Sequence, residues 1–212
     1  MIDELVPDGI ATAEAFQDRL DAELFPEEAA LVRNAVEARR REFATGRHCA
    51  RRALSRLGVP AAPILTGSRR EPVWPRGFVG SITHCAGYRA AAVASDRDAA
   101  AIGIDAEPFE PLPAGVFDAI ATADEVAAVK ELPPEVAWDR LLFCAKESLY
   151  KAWFPLAQRW LGFEDAVVTL RPSTFTADIL VPGPLTRVTG RWLAARGLVL
   201  TAVTIPARRP AR

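Results

Sequence analysis

The chain has 212 residues, 50% of them apolar and 25% charged, with a formal net charge of -1 at pH 7. That length suits one large domain or two small ones with a buried core, and the composition excludes a collagen, a coiled coil and a disordered tail. The near-neutral balance argues against a protein that coats nucleic acid over its whole surface.

In chain order, Glu27 to Leu57 reads as a helix, with Pro26 at a favourable first-turn position and Gly58 closing it, and with an interruption expected near Gly46. It is dense in Arg, and Arg39, Phe43, Arg47 and Arg51 step by four to share roughly one face. The period then changes to two. Phe78 to Thr83, Tyr88 to Ala94 and Ala100 to Ala106 read as strands of a small antiparallel meander. The Pro-rich stretch Pro108 to Pro113 is the expected boundary, so residues 1–108 and 109–212 are expected to form two halves. Beyond it come helices near Thr122 to Glu131 and Pro134 to Trp153, then strands at Phe163 to Leu170, Phe175 to Val181, Arg187 to Ala194 and Leu198 to Ile205. The order predicts an α+β fold of two similar halves, each a small, mostly antiparallel sheet packed with a long helix.

Cys49, Cys85 and Cys144 are an odd, scattered set, which suits a reducing compartment rather than a disulfide framework. The Met-Ile-Asp-Glu-Leu start lacks the regions of a secretory signal, and no uncharged apolar run approaches the roughly 20 residues of a membrane span. A soluble cytoplasmic protein is expected.

Three segments can carry chemistry. Ile102-Gly103-Ile104-Asp105-Ala106-Glu107 ends a strand with Asp105 and Glu107 on one face. Such a pair can bind a hard cation, do acid–base work, or simply be a solvated strand end. Phe143-Cys144-Ala145-Lys146-Glu147-Ser148-Leu149-Tyr150-Lys151 lies in an amphipathic helix. Glu147 and Lys151 there are either an ordinary i,i+4 pair or a reaction centre, and Lys146 and Lys151 are two of only three Lys among 26 basic residues. Gly80-Ser81-Ile82-Thr83-His84 places a His at a strand end, as a phosphate contact, a base or a structural residue. No zinc spacing, Walker loop or Gly-x-Gly-x-x-Gly fingerprint occurs, so a nucleotide-like ligand would have to be held by Arg, Lys and His.

In order, these motifs resemble the 4'-phosphopantetheinyl transferase superfamily. The carriers are Ile102-Gly103-Ile104-Asp105, the Phe143 to Lys151 helix, the upstream Gly46-Arg47-His48-Cys49-Ala50-Arg51, and the Trp74-Pro75 to Tyr88 stretch. The last two look like the monomeric, two-module branch that serves siderophore, polyketide and nonribosomal peptide carriers, and actinobacterial members look closest. The resemblance implies transfer of phosphopantetheine from coenzyme A to a serine of an apo acyl or peptidyl carrier protein, with release of 3',5'-ADP. It implies Mg2+, with Mn2+ as a substitute, held by Asp105, Glu107 and Glu147. Glu147, Lys151 and Asp105 would be catalytic. Arg39, Arg47, Arg51, Ser81, His84, Lys146 and Lys151 would hold coenzyme A, with its binding assigned to residues 1–108 and catalysis to 109–212. Where many relatives read Gly-Lys-Pro, this chain has Arg70-Glu71-Pro72, so Arg69 or Arg70 would have to replace that Lys. No nucleic-acid or membrane partner is implied. Two rivals stay open on the residues alone: a non-catalytic coenzyme A or nucleic-acid binder using the Arg-rich helix, and a hydrolase using Ser81, His84 and Asp105.

Overall fold

The computed structural model describes residues 1–207. A 3-10 turn at Ile2–Leu5 precedes β1 (Ala11–Ala15), α1 (Pro26–Leu31), α2 (Glu37–Arg56), β2 (Phe78–Cys85), β3 (Tyr88–Ser95) and β4 (Ala99–Pro108). Then follow α3 (Val116–Ile120), α4 (Ala123–Lys130), α5 (Trp138–Ala157), β5 (Ala166–Arg171), β6 (Thr174–Ile179), β7 (Arg187–Ala195) and β8 (Leu198–Pro206). The strands form a three-stranded sheet, β1-β3-β2, and a five-stranded sheet, β4-β8-β7-β6-β5, and every strand pairing within them is antiparallel. The fold is α+β, as expected, with one 20-residue helix in each half, α2 and α5.

Two expectations need correction. The Arg-rich helix breaks between Leu31 and Glu37, not at Gly46, which lies inside α2. There a Cβ on Gly46 would stand 3.3 Å from Ile82 Cγ2, so the missing side chain serves close packing on β2. The three-strand meander is also not formed. β3 already has β1 on one edge and β2 on the other, and β4 pairs instead with β8, Gly103 opposite Val203 and Asp105 opposite Thr201.

The two sheets meet edge to edge at β2 and β4. No backbone ladder joins them. Instead the Ile104 N–H donates to Ser81 Oγ at 3.1 Å and the Ala106 N–H to Thr83 Oγ1 at 3.0 Å, so the two strands run parallel across a seam laced by side-chain hydroxyls. These buried hydroxyls satisfy amides that would otherwise be orphaned.

On the other side of β4, α5 packs with its backbone almost touching the strand. A Cβ at Gly103 would lie 1.9 Å from Ser148 O and 2.7 Å from Ala152 N. Only glycine permits this approach, and buried Ser148 and Ala152 supply the small helix face opposite. Gly103→Ala is expected to cost about 1–3 kcal/mol of stability through overpacking, measured by urea denaturation. An unchanged midpoint would show that α5 can lift off β4 at no cost.

Candidate active site

The Gly103 contact brings α5 over the end of β4. Lys151 Nζ donates to Asp105 Oδ1 at 2.7 Å and to Ile104 O at 3.2 Å. Thr83 Oγ1 donates to the same Asp105 oxygen at 3.1 Å, so the carboxylate is held from both halves. Its other oxygen, Oδ2, is buried and has no hydrogen-bond partner among the described residues. Burial works to lower the Lys151 pKa, but the facing Asp105 and Glu147 carboxylates outweigh it, and the ammonium titrates above its ordinary value.

Glu147 stands one helical turn before Lys151. Among the described residues no hydrogen bond or ion pair engages its carboxylate, and burial, with Asp105 adding repulsion, raises its pKa against the pull of Lys151. Glu107 faces the same space and is ion-paired to Arg140 at 3.0 Å. Burial and then Asp105 raise the Glu107 pKa, with Arg140 opposing.

A cleft of about 610 Å3 runs between the halves. Asp105, Glu107, Glu147 and Lys151 line it from one side, and Arg39, Ser81, Thr83 and His84 from the other. Arg69, Arg70, Glu71 and Trp74 form part of its rim. His84 Nδ1 lies 3.0 Å from Glu42 Oε1, and Nε2 lies 3.0 Å from Arg39 Nη1. Since Arg can only donate, Nε2 is the acceptor, and the neutral ring carries its proton on Nδ1. Burial lowers the His84 pKa against the attraction of Glu42.

Not every expected ligand reaches the cleft. Arg47 is buried, donates from Nε to Ile64 O at 2.7 Å and stacks on Phe43. Burial pulls its pKa down to about 10. Arg51 pairs with Glu28 at 2.7 Å and with the Glu23 carbonyl at 2.6 Å. Lys146 points away from the cleft altogether. Its ammonium meets Glu125 Oε2 at 2.8 Å and the carbonyls of Ile120, Phe163 and Ala166 at 3.0, 2.6 and 3.1 Å. Burial lowers its pKa while Glu125 opposes. Ser81 is committed to the seam, and Ser81 and His84, an odd number of residues apart, project from opposite faces of β2. A Ser81–His84 hydrolase pair is therefore not assembled.

The supporting residues Glu42, Thr83, Glu125 and Arg140 were missed by sequence reasoning. Each carries only its pairing as a signal, and the partners that tie them to the site, His84, Asp105, Lys146 and Glu107, lie at least 21 residues away in the chain. A smaller pocket of about 70 Å3 opens behind Glu147 and Tyr150, lined also by Trp160, Leu161 and Phe163.

The chain matches two family profiles. Residues 27–94 match the 4'-phosphopantetheinyl transferase N-terminal domain, and residues 101–197 match the 4'-phosphopantetheinyl transferase superfamily. The chain belongs to this superfamily. It is an enzyme, a 4'-phosphopantetheinyl transferase. Over 209 residues it is 51% identical to 4'-phosphopantetheinyl transferase PptT of Mycobacterium tuberculosis, covering 92% of each chain. It is 50% identical to 4'-phosphopantetheinyl transferase Svp of Streptomyces mobaraensis, covering 98% of this chain and 90% of that protein. Enterobactin synthase component D of Salmonella typhi is 32% identical over 84% of this chain and 77% of its own length. The profiles divide between residues 94 and 101, at the start of β4, the strand that joins the second sheet.

Lys146 is tested by stability. Lys146→Met is expected to lose about 3–5 kcal/mol by leaving the Glu125 carboxylate buried and unpaired. Adding Glu125→Gln should restore part of that loss in a denaturation experiment. A stable Lys146→Met protein would contradict the buried pair.

Proposed function

We propose that the cleft binds coenzyme A and that the enzyme transfers its 4'-phosphopantetheine group to a serine hydroxyl of an apo acyl or peptidyl carrier protein, releasing 3',5'-ADP. The observation that carries this is the charge arrangement around Asp105: one oxygen held by Lys151 and Thr83, and, among the described residues, the other oxygen buried without a partner and Glu147, one turn before Lys151 on α5, left unpaired.

A Mg2+ or Mn2+ ion fits the donor set. Asp105 Oδ2 is an orphaned oxygen, and Glu147 and Glu107 add hard oxygen donors on the same cleft. Among the described residues no three His, Cys, Asp or Glu side chains form a ready-made metal cluster. Mg2+ is usually held by one or two carboxylates, with water and substrate phosphate completing its sphere. Bound there on the pyrophosphate, the cation would offset the charge that grows on the leaving phosphate.

The chain's own residues divide the remaining work. The serine oxygen attacks the β-phosphorus, the bond from that phosphorus to the bridging oxygen breaks, and 3',5'-ADP leaves with the electron pair. Glu147 takes the serine proton, directly or through a water. Lys151 is at hand for the charge on the pyrophosphate oxygens. Arg39 and His84, with Arg69 and Arg70 at the rim in place of the Lys found in many relatives, face the 3'-phosphate end. Arg47, Arg51, Lys146 and Ser81 support the fold around them.

Coenzyme A binding is thus assigned mainly to residues 1–108 and catalysis to residues 109–212, with β4 contributing its acids to the second half. The same reading makes the enzyme a cytoplasmic monomer. All three cysteines are free thiols, which suits a reducing compartment, and no helix among the described residues is long and apolar enough to cross a membrane.

Incubation with coenzyme A, Mg2+ and an apo carrier protein should add one phosphopantetheine mass to the carrier. Asp105→Ala and Glu147→Ala should each remove most of that transfer, and undiminished transfer in both would overturn the assignment. Glu147→Gln is expected to lower kcat by about 10²–10⁴-fold.

The same residue sets a pH dependence. With its pKa raised in the folded state, Glu147 becomes a base only as pH climbs through that raised value, so kcat should rise with pH on the acid limb. For stability the sign is opposite. A group with a raised folded pKa contributes stability below its ordinary value of 4.5 and loses it as pH rises through the folded value. Glu147→Gln should therefore be more heat-stable than the parent protein at neutral pH, with the gain vanishing below about pH 4.5. Equal melting temperatures at pH 7 would contradict the burial of a charged Glu147.

A further inference from the structure

Arg140, in the first turn of α5, is held by contacts that no step of the transfer uses. Its Nη1 donates to Glu107 Oε2 at 3.0 Å, Nε to Glu110 O at 3.0 Å and Nη2 to Pro111 O at 2.9 Å. Next to it, Asp139 Oδ2 accepts from Leu112 N at 2.8 Å. The first turn of α5 thus grips the Pro-rich segment between the halves, and one guanidinium joins that grip to an acid of the cleft. The side chain is only 11% exposed, so water competes little for these bonds. A planar, permanently charged fork meets three acceptors at once in a way that a Lys ammonium on its flexible stem does not.

Glu107 needs such support. It sits two residues from Asp105 on the same face of β4, where two like charges repel each other. Arg140 engages one Glu107 oxygen, and the residue still lines the cleft. Lys151 balances Asp105 in the same manner from three turns further along α5. The helix therefore brings one cation to each strand acid, from its first turn and from its fourth.

We propose that Arg140 is a positioning residue for Glu107: it fixes that carboxylate in the cleft beside Asp105 and thereby sets the affinity of the site for a divalent cation, without touching the substrate. The inference rests on the reading that Asp105 and Glu107 face the metal.

The test is Mn2+ binding by the full chain, followed through the electron paramagnetic resonance signal of the free ion. It compares Asp105→Asn, Glu107→Gln, Arg140→Gln, Arg140→Lys and the Glu107→Gln/Arg140→Gln double variant. Arg140→Gln is expected to weaken Mn2+ binding about 10-fold, the low end of what loss of a ligand's supporting partner costs. Arg140→Lys should recover part of that loss. The double variant should bind no more weakly than Glu107→Gln alone, because Arg140 acts only through Glu107. Coenzyme A binding measured without metal should not change, which a general loss of packing would not allow. Wild-type Mn2+ affinity in Arg140→Gln, or additive losses in the double variant, overturns the assignment while Asp105→Asn still binds weakly. If Asp105→Asn keeps wild-type affinity, the metal-facing reading itself falls, and this proposal with it. Should Arg140→Gln fail to fold, the same cycle with Arg140→Lys decides the matter.

Discussion

The backbone contact of β4 with α5 at Gly103 is the constraint on which the site depends. A strand and a helix normally stand apart by the depth of the side chains between them. Here one glycine opposite Ser148 and Ala152 removes that spacer. Lys151, next to Ala152, then reaches a main-chain carbonyl and an acid of the strand together, and Glu147, next to Ser148, is drawn over the same strand end. A steric condition at one residue thus sets the electrostatics of three, Asp105, Glu147 and Lys151.

Those electrostatics are unequal by construction. Asp105 has Lys151 and Thr83, Glu107 has Arg140, and Glu147 has no partner among the described residues. Burying an unpaired carboxylate costs stability that paired neighbours do not lose, and a residue selected for folding alone would not be left so. The expense falls on the acid proposed above to accept the proton, the usual pattern where activity and stability compete.

The sequence made the core of the site legible because its two motifs are local. Alternation on β4 puts Asp105 with Glu107, and a spacing of four on α5 puts Glu147 with Lys151. It could not show which side of α5 meets the cleft. Lys146, one residue before Glu147, turns inward to Glu125 on α4, a partner 21 residues earlier that no periodicity reveals. The Arg-rich helix misled in a related way. Steps of four drift round a helix of 3.6 residues per turn, so Arg39 reaches the cleft while Arg47 is carried into the interior. The short Ala-rich β1 escaped because Ala11–Ala15 holds only one β-branched residue, and without β1 the edge of β3 looked open to β4. The membership of β4 in the second sheet follows from pairing with β8, nearly a hundred residues on, and such pairings leave no trace in local spacing.

The hydroxyl-laced seam between β2 and β4 has a mechanical consequence. In a continuous sheet, sliding one half past the other would melt a row of backbone hydrogen bonds together. Across this seam the strands are linked through Ser81 and Thr83 side chains, each of which turns about a single bond in nanoseconds or less when not held. A shift of one sheet against the other would break these two hydroxyl bonds and repack the apolar core that β3 shares with β4 and β8, while both sheets keep every rung. Because Thr83 also holds Asp105, any such slip is registered at once at that carboxylate.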